Sequence, residues 1–171
     1  MDPPPFTSAR GAFRFDGPIR ELIHRLKYGK KVHLSAPLAL LTAKTLAPYV
    51  AGSGAELLLP VPLHRKRLRD RGFNQSLLLA RSLAKSWQLP LSRNNLQRLH
   101  WTEPQIHLSM TDRVKNVRGA FSVKDPAEFE GRRLLLVDDV YTTGSTVTEC
   151  AKVLRKAGAE EVHVVTVARA I

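Results

Sequence analysis

The chain has 171 residues, 43% of them hydrophobic, and a formal net charge of +12. That length suits one domain burying roughly two thirds of its unfolded surface and leaves no room for a second large one. Cys150, the single cysteine, excludes an intrachain disulfide and any multi-cysteine zinc site built from one chain. No uninterrupted apolar run approaches the ~18 residues of a membrane span, and the acidic, proline-rich start MDPPPFTSAR lacks the apolar core of a signal peptide. A cytoplasmic protein without a membrane span is expected. The positive charge admits nucleic acid, a polyanionic small substrate or a solvated surface, and does not choose among them.

In chain order, residues 1–15 hold three consecutive prolines and no sustained period, which predicts a flexible amino terminus with Phe13 and Phe15 tucked into the body. Residues 16–171 are expected to form a single domain. Ile19, Leu22, Ile23 and Leu26 keep helical spacing between Asp16 and Gly29, giving a first amphipathic helix. A second runs from Ser35, the expected cap with Pro37 in the first turn, towards Pro48. Leu57 to Val61 reads as a short apolar strand whose exit through Pro60 and Pro62 is rigid, in trans or in cis.

The basic run follows at once, with Arg65, Lys66, Arg67, Arg69 and Arg71 crowded between His64 and Arg71. No aromatic residue interleaves it, which argues against a base-stacking platform. If the strand before it is parallel to the acidic strand described below, these cations share its sheet edge, where a diphosphate could be held. The competing reading is a solvated charged face.

Asn74 to Lys85 is again helical, and Asn95 to Leu99 reads as a strand. The polar segment from His100 to Gly119 has poor periodicity, and a loop of that length is functional or disordered. Thr111 and Asp112 are expected to start a short helix there, and Trp101 is either a core aromatic or a lid over a base. Strands are predicted at Ala120 to Val123, Leu134 to Val140 and Val162 to Ala168, with a helix over Ser145 to Lys156 that stops at Gly158. This alternation predicts an α/β fold, a mainly parallel sheet of about four to six strands with helices on both faces.

The chemistry concentrates in LLLVDDVYTTGST, Leu134 to Thr146. A buried strand ends in Asp138 and Asp139, a pair suited to a vicinal diol or a hydrated cation. Thr142, Thr143, Gly144, Ser145 and Thr146 then offer hydroxyls, backbone amides and one glycine to curl around a phosphate at a helix amino terminus. The competing reading is an ordinary strand-turn-helix junction in which Asp139 or a threonine caps the helix. The six histidines show no paired-ligand spacing, so no protein-held metal is expected, and Cys150 inside the helix reads as a buried structural thiol.

This stretch resembles the phosphoribosyl diphosphate (PRPP) signature of type I phosphoribosyltransferases. LKYGK at 26–30, PVPLHRKRLRDRGFNQS at 60–76 and RLHWTEPQIHLSMTDRVKNVRGAF at 98–121 are similar to the ComF/GntX-like, competence-associated branch of that family, in its order. Members commonly carry an amino-terminal zinc ribbon, which this sequence lacks.

The resemblance implies a phosphoribosyltransferase-like domain with a small amino-terminal helical hood. In it Asp138 and Asp139 would bind the ribose hydroxyls, Tyr141, Thr142, Thr143, Gly144, Ser145 and Thr146 the 5′-phosphate, and Leu63, His64 and Arg65 the diphosphate. Arg65 is the expected fixed positive charge at the departing diphosphate, with Mg²⁺ brought in on PRPP itself. Arg71, Gly72, Asn74 and Gln75 match the family's RGFNQ signature without an assigned role. Arg98, Thr102, Gln105, Arg113 and Asn116 match its mobile loop, which would close over the substrate and exclude water.

The implied activity is Mg²⁺-dependent transfer of phosphoribosyl to a small acceptor, a nucleobase or an amine, with release of diphosphate. The alternative is a non-catalytic PRPP-binding accessory of DNA uptake that associates with nucleic acid. A homodimer is also open from the resemblance.

Overall fold

The structure, a computed structural model, describes residues 3–101 and 117–170. Four parallel strands form its main sheet, β1 (Ser8–Arg14), β2 (Leu57–Pro60), β5 (Arg133–Tyr141) and β6 (Glu161–Arg169), in the order β1-β6-β5-β2. A separate antiparallel ribbon joins β3 (Leu96–Arg98) to β4 (Phe121–Val123). The helices are α1 (Gly17–Lys27), α2 (Ser35–Ser53), α3 (Arg65–Arg71), α4 (Gln75–Trp87) and α5 (Ser145–Lys156). This is the helix-flanked, mainly parallel sheet that the alternation predicts.

Both sheet faces are covered, which is why the central strands read as unbroken apolar runs. Leu58, Leu135, Val137, Val165 and Val167 pack with Ile23 and Leu26 of α1, Leu38 and Leu46 of α2, and Leu79 and Leu83 of α4. Leu57, Leu59, Leu134, Leu136, Val162 and Val164 pack on the other side with Val147, Cys150 and Leu154 of α5 and with Phe129. Truncating one of these leucines to alanine costs about 2–5 kcal/mol, so the sheet is a rigid platform for whatever its ends carry. Cys150 is a free, fully buried thiol whose pKa burial pushes well above its usual value, in keeping with a structural part.

Two local expectations need correction, and two open points are settled. Residues 1–15 are not flexible throughout, because Ser8–Arg14 forms the edge strand β1 and pairs with β6 from Ser8↔His163 to Arg14↔Arg169. SARGAFR lacks apolar alternation, and backbone pairing carries the strand, with Gly11 so close to Arg169 that an added Cβ would lie 2.9 Å from the Arg169 Cβ. The second helix runs past Pro48 to Ser53, since Pro48 lies on the exposed side while Leu46 and Val50 stay packed in the core. The described peptide bonds are all trans, including those before Pro60 and Pro62. The basic run is itself a helix, α3.

With the turn before it, α2 spans Val32–Ser53 and is long and apolar enough by composition to cross a membrane. One side of it buries Leu38, Ala39, Thr42, Ala43 and Leu46. The expected short helix at Thr111 and Asp112 lies outside the described residues.

Candidate functional site

Strand alternation places Asp139 in the row of Leu135 and Val137, on the face that α1 covers. There Lys27 Nζ meets Asp139 Oδ2 at 2.6 Å, off the axis of a hydrogen bond and so as an ion pair. Asp139 Oδ1 accepts from its neighbour's amide, Val140 N, at 2.8 Å. Asp138 opens to the cleft at the strand's end, where its Oδ1 accepts from Ser76 Oγ and from Asp139 N, both at 2.9 Å.

These surroundings separate two residues of identical chemistry. Burial, and then the charge of Asp139, push the Asp138 carboxyl up to about 7, with Lys27 pulling the other way. Burial works against the charge on Lys27, yet the attraction of Asp139 and then Asp138 outweighs it and raises the lysine above its ordinary value. The acidic pair is therefore short of positive charge until a ligand brings some.

Thr142, Thr143 and Gly144 carry the chain from β5 into α5. Gly144 has φ 78°, and a Cβ there would run into the Tyr141 ring, so both backbone and space require glycine. Thr143 Oγ1 and Ser145 Oγ share a hydrogen bond at 2.5 Å, and Ser145 N donates to Thr143 Oγ1 at 3.4 Å. No acid occupies the first turn of α5, leaving its positive end facing the cleft. Behind the loop the Arg169 guanidinium lies 4.8 Å from the Tyr141 ring centre.

The opposite wall is the α3–α4 corner. His64 caps α3, its Nδ1 accepting from Lys66 N at 3.1 Å. Arg67 and Arg71, one helical turn apart, line the cleft. Arg71 is buried, donates to Gln75 Oε1 and lies 5.6 Å from the Tyr28 ring. Gly72 ends α3 with φ 88°, and Asn74 caps α4 by accepting from Ser76 N at 2.9 Å while its Nδ2 donates to Val61 O at 3.1 Å. The RGFNQ stretch is thus a corner that turns the chain and ties it to the end of β2.

Asp138, Asp139, Tyr141, Thr142, Thr143, Gly144, Ser145, Thr146, Leu63, Arg71, Gln75 and Arg98 all line one cleft of about 280 Å³. Arg98 sits with its guanidinium 5.4 Å from the Phe121 ring. His64, Arg65 and Asn74 face a neighbouring hollow instead, and Arg65 is exposed at the start of α3. The expectation that Arg65 supplies the cleft's fixed charge passes to Arg67 and Arg71, because helical period turns those two inward. Trp101 stands over the same helix, 5.5 Å from the His64 ring and 4.5 Å from Lys66 Nζ. Thr102, Gln105, Arg113 and Asn116 lie outside the described residues.

Three polar lining residues, Lys27, Tyr28 and Ser76, escaped the sequence reading, and Arg67 was read only as one member of the basic run. The LKYGK match pointed at the first two without giving them a role, and i,i+4 spacing from Arg71 would have found Arg67. Nothing in the sequence signals Ser76. No group of three or more His, Cys, Asp or Glu side chains able to hold a metal occurs among the described residues.

Residues 75–171 match the phosphoribosyl transferase domain family. The chain is 39% identical over 163 residues to Competence protein F of Haemophilus influenzae, covering 90% of this chain and 69% of that one. It is 34% identical over 165 residues to the DNA utilization protein YhgH of Salmonella typhimurium, covering 95% of this chain and 72% of the relative. Among solved structures it is similar to the glutamine PRPP amidotransferase of B. subtilis, with a TM-score of 0.51 and 24% identity over 76% of this chain and 25% of that one, a likeness of fold.

Proposed function

This chain belongs to the ComF-like branch of the type I phosphoribosyltransferases, and from that premise we propose that it binds PRPP with Mg²⁺ and transfers the phosphoribosyl group to a small acceptor, a nucleobase or an amine, releasing diphosphate. One observation carries the reading: an acidic pair, a phosphate-sized loop at a helix amino terminus and the cations Lys27, Arg67 and Arg71 line a single cleft. A molecule with a 5′-phosphate, a vicinal diol and a diphosphate matches those three parts in kind.

In this reading Asp138 and Asp139 accept from the ribose hydroxyls. The amides and hydroxyls from Thr142 to Thr146 hold the 5′-phosphate, and Arg67 and Arg71 provide fixed positive charge for the departing diphosphate. The donor set fits Mg²⁺ that arrives with the substrate: there is no protein cage, but Asp138 Oδ2 has no hydrogen-bond partner among the described residues, and Mg²⁺ commonly takes one or two carboxylates beside phosphate oxygens and water. When bound, the ion would neutralise leaving-group oxygens. We place the reaction in the cytoplasm, as expected from the sequence.

Calorimetric titration of PRPP with Mg²⁺ into wild type and into the Asp138→Asn, Asp139→Asn double variant tests this. Saturable binding that the variant loses supports the donor site and justifies screening acceptors for diphosphate release, whereas a well-folded wild type that does not bind sinks it.

A second reading rests on the relatives' names and on Arg65, Lys66 and Arg69, which are exposed on α3. Here the protein binds PRPP without turnover and assists DNA uptake by associating with nucleic acid. Salt-sensitive DNA affinity that survives loss of the acidic pair would favour it, because phosphate contacts release counterions and need no diol site.

A further inference from the structure

Two consecutive residues at the end of α1 reach both walls of the cleft. Lys27 Nζ lies 2.6 Å from Asp139 Oδ2, and the Tyr28 ring lies 5.6 Å from the Arg71 guanidinium. Arg71 in turn donates to Gln75 Oε1, so this short stretch joins the acidic strand end to the basic corner. The lysine side chain is 22% exposed and the aspartate side chain 4%, which sets the pair apart from a solvated surface bridge. Asp138 makes hydrogen bonds to Ser76 and to the chain but no ion pair among the described residues.

Resting on the PRPP reading above, we infer that Lys27 is a positioning residue: its ammonium holds Asp139 in place beside Asp138, so that the pair meets the ribose hydroxyls in a fixed arrangement. The charged and titratable groups that interact with Asp138 are Asp139 on its own strand, Lys27 from α1, Arg71 from α3, Arg98 from β3 and Cys150 from α5. Of these, Lys27 is the one that reaches the pair at ion-pair distance among the described residues. Without it, two adjacent carboxylates in one enclosed site repel, and Asp139 loses the cation that ties the strand end to α1. A diol would then meet a less firmly held site.

Two readouts test the role, one of which needs no ligand. In denaturant melts of the ligand-free protein, a double-mutant cycle should couple Lys27→Met to Asp139→Asn by about tenfold in the folding equilibrium, while Asp138→Asn couples less. In Lys27→Met the PRPP affinity, measured by calorimetry with Mg²⁺ near neutral pH, should fall about tenfold to a hundredfold, since a buried carboxylate has lost its cation. Lys27→Arg keeps the charge and should restore both.

A folded Lys27→Met protein with no coupling to Asp139→Asn and unchanged PRPP affinity would overturn the inference. Should that variant not fold, Lys27→Gln keeps a donor to Asp139 without the charge and is judged by the same two readouts. Wild type that fails to bind PRPP would count against the proposed function and leave the double-mutant cycle to decide the lysine's role.

Discussion

The two walls of the cleft are built by different rules. On the acidic wall, Asp138, Asp139 and the turn to Ser145 follow one another along the chain, so contiguity in sequence becomes contiguity in space. On the basic wall, five cations crowd into seven helical residues, yet the cleft receives only Arg67 and Arg71 from α3. A strand end followed by a tight turn presents consecutive residues to one site, whereas a helix spreads consecutive residues around its axis. Motif density is therefore a good guide to the cleft's lining on the first wall and a poor one on the second.

The comparison breaks most visibly at the acidic pair. Asp138→Asn with Asp139→Asn should lower PRPP affinity more than about a hundredfold in calorimetry, because two hydrogen bonds to charged acceptors go at once. On the basic wall, Arg71→Ala should cost about 3 kcal/mol in denaturant melts, as buried Gln75 loses its partner and Tyr28 its cation.

Gly144→Ala should cost about 2 kcal/mol by the same measurement and weaken PRPP binding, since the new methyl group meets both an unfavourable φ and the Tyr141 ring.

A pH series sharpens the contrast between the two aspartates. The Asp138 carboxyl titrates near 7 in the fold against 3.8 as its ordinary value, so the folded state holds the extra proton between those limits. Its contribution to stability is complete below the lower value and is lost as pH rises through the upper one. Asp138→Asn removes that loss. Its stability relative to wild type should therefore rise by about 2–3 kcal/mol between about pH 5 and about pH 8, read from melts at each pH. A flat difference would mean that the carboxyl is not enclosed as described. The smallest effect should be Arg65→Ala, which leaves PRPP affinity within about twofold and Tm within about a degree, as expected of an exposed side chain off the cleft. A large loss there would return Arg65 to the diphosphate.

Most of the elements were readable because periodicity is a local property. The helix over Ser145–Lys156 lies where the pattern puts it, and β2, β5 and β6 differ from their predicted spans by a residue or so at the ends. β1 was not readable, since an edge strand held by backbone pairing to β6 needs no apolar alternation. Pro48 misled for a related reason, because a proline on the solvent side of a packed helix interrupts one hydrogen bond without ending the helix. Inside the site, the RGFNQ stretch could be recognised as a pattern, but its work as a glycine-ended, asparagine-capped corner emerges only once Val61 and Arg71 are seen beside it.

What the amino-acid order settles alone is the strand, the two carboxylates and the phosphate-type loop with its helix, since each step depends on neighbours in the chain and on backbone geometry common to all proteins. Tertiary packing decides which charges meet. Ser76 reaches Asp138 from 62 positions away, and Lys27 comes from the far end of the chain to pair with Asp139 and not with its twin. Such pairings depend on how α1 and α4 settle against a sheet buried on both faces, and no local pattern records that arrangement.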